Sequence, residues 1–208
     1  VALSIFAPAL LGCRESKSPD IAPRHINISV DVSDKSPKRL LAYASAAYRL
    51  QRGMKSNDIV RIYEFAHAPE LIYEGPPIRS RNLFNKKVAT CFTSRGASMD
   101  RRGTRTDLVL ERMLHDAQKE SSDMAIVILT DGGVEDMSTP VTDRIRIAIA
   151  GFGNCEVMEF LVIAGVNQEW RGRWEDWVAP LGSAAIVRGL NDMDTVSTDS
   201  LWARASKT

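Results

Sequence analysis

Six residues constrain this chain more than any others. Met124–Leu129, MAIVIL, is apolar at every position. A strand with no polar face must be covered on both sides, and such strands belong to sheets packed between two layers of helices. The run stops at Thr130-Asp131-Gly132-Gly133, residues that turn a chain. Ile26–Val32 is a second β-branched run, and it delivers Asp31 and then Ser33 to its carboxyl end. Open α/β sheets bind ligands outside the carboxyl ends of their strands. The two aspartates therefore mark a candidate site.

The remaining segments supply the layers. Ser36 suits a helix N-cap and Pro37 the first helical position, which predicts a helix over Pro37–Arg52 ended by Gly53. Its buried face is expected to hold Leu40, Leu41, Ala44, Ala47 and Tyr48. Asp58–Ala66 reads as a strand, and Glu70–Glu74 as a short one. The connection between them is too tight for a crossover helix, so this pair is antiparallel and at an edge. Thr106–Glu120 reads as a helix capped by Thr104 or Thr106, and Thr142–Ala150 as another, broken by Gly151 and Gly153. Glu159–Ala164 is a buried strand, and Ala184–Val187 a last short one. Between them Gln168–Leu181 is a helix whose stripe of Trp170, Trp174, Trp177 and Leu181 packs on the sheet. This alternation predicts an α/β fold. It is a Rossmann-like three-layer sandwich, with a mainly parallel central sheet, one antiparallel edge strand and helices on both faces.

Composition limits the function. With 208 residues and a net charge of +1, the chain fits one soluble domain and carries no global field for nucleic acid. The charge is uneven. Between Gly75 and Arg105 stand Arg79, Arg81, Lys86, Lys87, Arg95, Arg101, Arg102 and Arg105 against the single acid Asp100. That stretch is expected to be a loop, with a short helix or strand around Val88–Phe92, and to steer an acidic partner. His25, His67 and His115 have no metal-binding spacing and read as surface or loop residues. Val1–Leu11 is apolar, and Leu10-Leu11-Gly12-Cys13 resembles the lipid-attachment signal of bacterial lipoproteins. On that reading residues 1–13 are a signal remnant, 14–24 a linker, 25–190 the domain and 191–208 a helix or tail. The protein would be exported and held at a membrane face, in the periplasm or on the cell surface, by acyl chains on Cys13. Export would permit Cys91 and Cys155 to pair, although two separate buried thiols is the simpler expectation.

Asp31, Ser33, a threonine of Gly103-Thr104-Arg105-Thr106-Asp107, and Asp131 offer hard oxygen ligands if the first and fourth strands are neighbours. Such a set suits Mg²⁺. Here a resemblance becomes plain. DVSDKS, GTRTDL and VILTDGG, in this order, resemble the motifs of a von Willebrand factor type A domain. That family carries a metal-ion-dependent adhesion site (MIDAS) built from Asp-x-Ser-x-Ser, a distant Thr and a distant Asp-Gly. The resemblance assigns Asp31, Ser33, Thr106 and Asp131 as metal ligands, with Thr104 as the alternative threonine. It departs from the pattern at Lys35, which stands where the second serine belongs; Ser36 is one residue late.

What the resemblance implies is binding rather than catalysis. A Mg²⁺ ion, or Mn²⁺ or Ca²⁺ in its place, would accept an exposed carboxylate from a partner protein, provided the Lys35 ammonium does not replace the ion. Two alternatives stay open. One is a Mg²⁺-dependent phosphoryl-transfer or hydrolase domain using Asp31. The other is a structural domain whose ion site is degenerate.

Overall fold

The computed structural model describes residues 22–33, 36–94, 103–134 and 137–195. Cys13, the segment before it, most of the linker and Lys35 lie outside the described residues. Among the described residues no helix is long and apolar enough to cross a membrane.

Six strands form one sheet: β1 (His25–Asp31), β2 (Ile59–Phe65), β3 (Pro69–Gly75), β4 (Met124–Leu129), β5 (Met158–Val166) and β6 (Ala185–Gly189). Their order is β3-β2-β1-β4-β5-β6, parallel throughout except for the β2–β3 pair. The expected three-layer α/β sandwich with one antiparallel edge strand is the observed fold. After β1 the chain builds outward to one side, and it returns to β4 on the other. The crevice between β1 and β4 is thus the point where strand order reverses, the place such sheets keep for ligands. Val30 pairs with Leu129, so Asp31 and Thr130 stand level at the carboxyl end.

The strand parities decide which layer covers which face. Ile26, Ile28 and Val30 of β1 join Ala125, Val127 and Leu129 of β4 under α1 (Pro37–Arg52). Met124, Ile126 and Ile128 point the other way, into a core with α4 (Thr106–Ala117), α5 (Thr139–Gly153) and α6 (Gln168–Val178). The opposite parity of β1 is polar: His25, Asn27, Ser29 and Asp31 are all buried on it. A row of polar groups inside a sheet costs free energy unless each is satisfied. The Asn27 side-chain amide has no hydrogen-bond partner among the described residues.

Several local expectations change in three dimensions. His25 is a buried residue of β1 rather than a surface or loop histidine, with its Nδ1 3.2 Å from Glu120. Residues 81–94 of the basic stretch are helical: α2 (Arg81–Phe84), a π-helical turn over Asn85–Ala89, and α3 (Thr90–Ser94). Phe84, Val88 and Phe92 anchor them in the core beside α1. The cationic apron is correspondingly smaller, since Arg79 is spent on the main-chain oxygens of Arg52 and Met54. Leu41 is 62% exposed, and Tyr43 takes its place on the buried face of α1. Helix α5 runs through Gly151 instead of stopping there, because Gly151 makes room for Leu114: a Cβ would meet its Cδ2 at 2.5 Å. Helix α6 ends at Val178, and a 3₁₀ segment over Ala179–Ala184 follows. The chain after β6 enters a 3₁₀ turn over Leu190–Thr195. Cys91 and Cys155 are separate free thiols, partly rather than fully buried.

Candidate functional site

The carboxyl ends of β1 and β4 carry the polar cluster. Asp31 is fully buried. Its Oδ1 accepts the main-chain N–H of Ser33 at 3.0 Å and also the Ser33 hydroxyl. Its Oδ2 accepts the Thr130 hydroxyl at 2.8 Å. Thr130 in turn accepts the N–H of Gly132 at 3.1 Å, which fixes the turn after β4.

A threonine joins this cluster, and it is Thr104. Its Oγ1 lies 2.7 Å from Ser33 Oγ. A hydroxyl has one proton. Since Ser33 donates its own to Asp31, Thr104 donates to Ser33 and keeps both its lone pairs. Thr106, which the resemblance assigns, opens α4, and its Oγ1 is buried with no hydrogen-bond partner among the described residues. One loop carries both threonines. The Arg105 N–H binds the Ala66 carbonyl at 2.9 Å at the end of β2, and the Arg105 guanidinium clasps Asp107 through Nε at 2.9 Å and a terminal nitrogen at 2.7 Å. These ties hold Thr104 over Ser33. They also settle the capping question, because Arg105 takes the N-cap position without a side-chain cap. Burial would raise the Asp107 carboxyl, but the Arg105 hydrogen bonds and the charges of Arg105 and Arg144 outweigh it and hold it below its ordinary value.

Ser36 stays with the helix. Its Oγ accepts the Arg39 N–H at 3.3 Å as the N-cap of α1.

Asp131 lies in the turn after β4. Its Oδ1 accepts the Gly133 N–H at 3.0 Å. Its Oδ2 is 3.1 Å from a terminal nitrogen of Arg39, and the other terminal nitrogen reaches Asn167 Oδ1 at 3.0 Å. A cation of the chain itself therefore sits at Asp131. From the sequence, Lys35 is the expected source of that charge. No local pattern flags Arg39, whose partners lie 92 and 128 positions further along.

Two glycines permit this packing. Gly132 has φ +87°, and a Cβ there would meet Val166 Cγ1 at 2.8 Å and Trp174 Nε1 at 3.0 Å. Its carbonyl accepts the Trp174 indole N–H at 2.9 Å, so one residue of the tryptophan stripe clamps the Asp131 turn. Gly165, at φ +92°, leaves space for the Tyr43 ring against the Thr130 carbonyl. Tyr43 is fully buried beneath the site, and its hydroxyl has no hydrogen-bond partner among the described residues. Burial first, and the Asp31 charge second, push its ionisation far above the ordinary phenol value.

The donor set fits a hard divalent cation. Neighbouring ligands around Mg²⁺ lie roughly 3 Å apart when each is about 2.1 Å from the ion. The Ser33 and Thr104 oxygens, 2.7 Å apart beside a buried carboxylate, are close to that spacing. The set consists of hydroxyls and two carboxylates; no group of three or more His, Cys, Asp or Glu placed to hold a metal occurs among the described residues.

No protein-family model matches the sequence. No curated protein matches it either. Solved structures do match. An aerotolerance-related membrane protein from Bacteroides fragilis, carrying multiple mutations to serine, is 18% identical with a TM-score of 0.56; the match covers 88% of this chain and 99% of that one. A von Willebrand factor type A protein from Catenulispora acidiphila is 13% identical with a TM-score of 0.58, over 90% of this chain and 42% of that one. Proximal thread matrix protein 1 of the mussel byssus, with zinc in its MIDAS motif, is 11% identical with a TM-score of 0.51, over 88% of this chain and 47% of that one. The chain thus spans less than half of the last two proteins. At these identities the likeness concerns the fold alone.

Proposed function

We propose that this chain, whose fold is that of the von Willebrand factor type A domains, is an interaction module that binds a partner protein and does not transform a substrate. Asp31, Ser33, Thr104 and Asp131 would hold a divalent cation, with Mg²⁺ preferred and Mn²⁺ or Ca²⁺ as substitutes. When bound, the ion supplies an open coordination position for a carboxylate oxygen of the partner. Zinc occupies the corresponding motif of the mussel protein. An all-oxygen set of hydroxyls and carboxylates favours Mg²⁺ over zinc, which prefers nitrogen and sulfur.

The observation that carries this reading is the pair of hydroxyls on Ser33 and Thr104, 2.7 Å apart against Asp31 where strand order reverses. Asp31 orients the Ser33 hydroxyl by accepting a hydrogen bond from it, and Thr104 donates to Ser33 in turn, which leaves one lone pair on Ser33 and both on Thr104 for an ion. The partner's acidic character rests on the exposed Lys86 and Lys87 and on the remaining charge of that stretch. Anchorage through acylated Cys13 belongs to the same proposal, and intact mass of membrane-extracted protein tests it.

Calorimetric titration of the purified protein with Mg²⁺ and Mn²⁺ tests the site. Saturable binding that Asp31→Ala abolishes is the expected result. No heat with either ion would remove the cation from the proposal.

A further inference from the structure

Arg39 is placed where an ion-binding domain should least want a fixed charge. It stands in the first turn of α1, four residues before buried Tyr43, and its side chain crosses the end of the sheet to the turn after β4. One terminal nitrogen takes Asp131 Oδ2 at 3.1 Å and the other takes Asn167 Oδ1 at 3.0 Å. Asn167 is itself tied to the same turn, since its N–H binds the Asp131 carbonyl at 2.8 Å. Arg39 and Asp131 are both about four-fifths buried, so water screens the pair poorly.

We infer that Arg39 and the divalent cation compete for Asp131, and that Arg39 sets how tightly the site takes its ion. The inference rests on the ion reading given above. Three observations support it. The Asp131 carboxylate already receives the Gly133 N–H on one oxygen and Arg39 on the other, so an ion reaching it meets an occupied group. A guanidinium presents a planar fork of donors, and Arg39 divides its fork between Asp131 and Asn167. It makes one bond to Asp131 rather than the two-pronged clasp that Arg105 makes on Asp107. A single bond can be given up while the Asn167 contact is kept. Asp131 is therefore neutralised from within the chain, and ion loading requires Arg39 to swing off it or share it.

The test compares wild type with Arg39→Gln, which removes the charge, and Arg39→Lys, which retains it. Each is titrated with Mn²⁺ by calorimetry and melted with and without the ion. Arg39→Gln is expected to bind Mn²⁺ about tenfold or more tightly than wild type, with Arg39→Lys close to wild type. Without ion, Arg39→Gln is expected to melt below wild type, and saturating Mn²⁺ to raise it by more. Ion binding confined to Arg39→Gln would support the inference in its strongest form, with Arg39 as the resident cation. Equal affinity in wild type and Arg39→Gln would overturn the competition and leave the ion reading standing. Absence of binding in all three folded proteins would overturn both.

Discussion

The two ends of the sheet are both charged, and they use charge differently. At the amino end Arg61 bridges Glu74 at 2.8 Å and Glu120 at 2.5 Å, His25 meets Glu120 at 3.2 Å, and Asp58 accepts the main-chain N–H groups of Arg24 and Lys55. These acids are matched to cations and main-chain donors of other elements, so the groups tie strands and helices together. At the carboxyl end Asp31, Ser33 and Thr104 converge, and Asp131 in the next turn takes Arg39. The lesson is one of geometry. Matched charges that point at one another stabilise, whereas oxygens that point at one place make a site.

Asp31→Ala should break the comparison most severely. It leaves the Ser33 and Thr130 donors buried without an acceptor, at a cost of about 2–4 kcal/mol, and abolishes Mn²⁺ binding. Denaturant unfolding and calorimetry measure the two losses. Arg61→Ala should cost about 2 kcal/mol by stranding Glu120, and should leave ion affinity unchanged. If ion affinity moves with it, the two ends are coupled and the contrast fails.

The threonines sharpen the carboxyl end itself. Thr104→Val is expected to weaken Mn²⁺ binding about tenfold, since it removes one oxygen of the pair. Thr106→Val should leave affinity intact and hold or raise stability by up to about 1 kcal/mol, because its buried hydroxyl has no partner to lose. The reverse outcome would restore Thr106 as the ligand.

The smallest effect is a pH dependence at the amino end. Burial lowers the His25 pKa from its ordinary 6.5, and the neighbouring Glu120 carboxylate only partly opposes it. The folded state thus holds its proton less firmly than the unfolded state. Stability from this group is fully present above pH 6.5 and falls as pH drops through the window below it. His25→Gln should flatten that part of a stability–pH curve, and the ion site should not notice.

Much of this was legible in the sequence. MAIVIL and the β-branched run before Asp31 announced covered parallel strands, and the tight turn before Glu70 announced the antiparallel edge. Asp31, Ser33 and Asp131 were legible because strand ends are set by local pattern. Leu41 and Gly151 misled, since helix periodicity cannot say which side chain a neighbour will displace or which glycine a leucine needs.

What the sequence alone determined is the layering and the positions of the two aspartates, because apolar periodicity and turn chemistry act over a few residues. Only the tertiary structure decided that Thr104 and not Thr106 meets Ser33, that His25 is buried, and that Arg39 reaches Asp131. Those contacts join residues 71, 95 and 92 positions apart. Their geometry depends on how a loop is tethered and how a helix is rotated on the sheet. Neither quantity leaves a mark on the local pattern of residues.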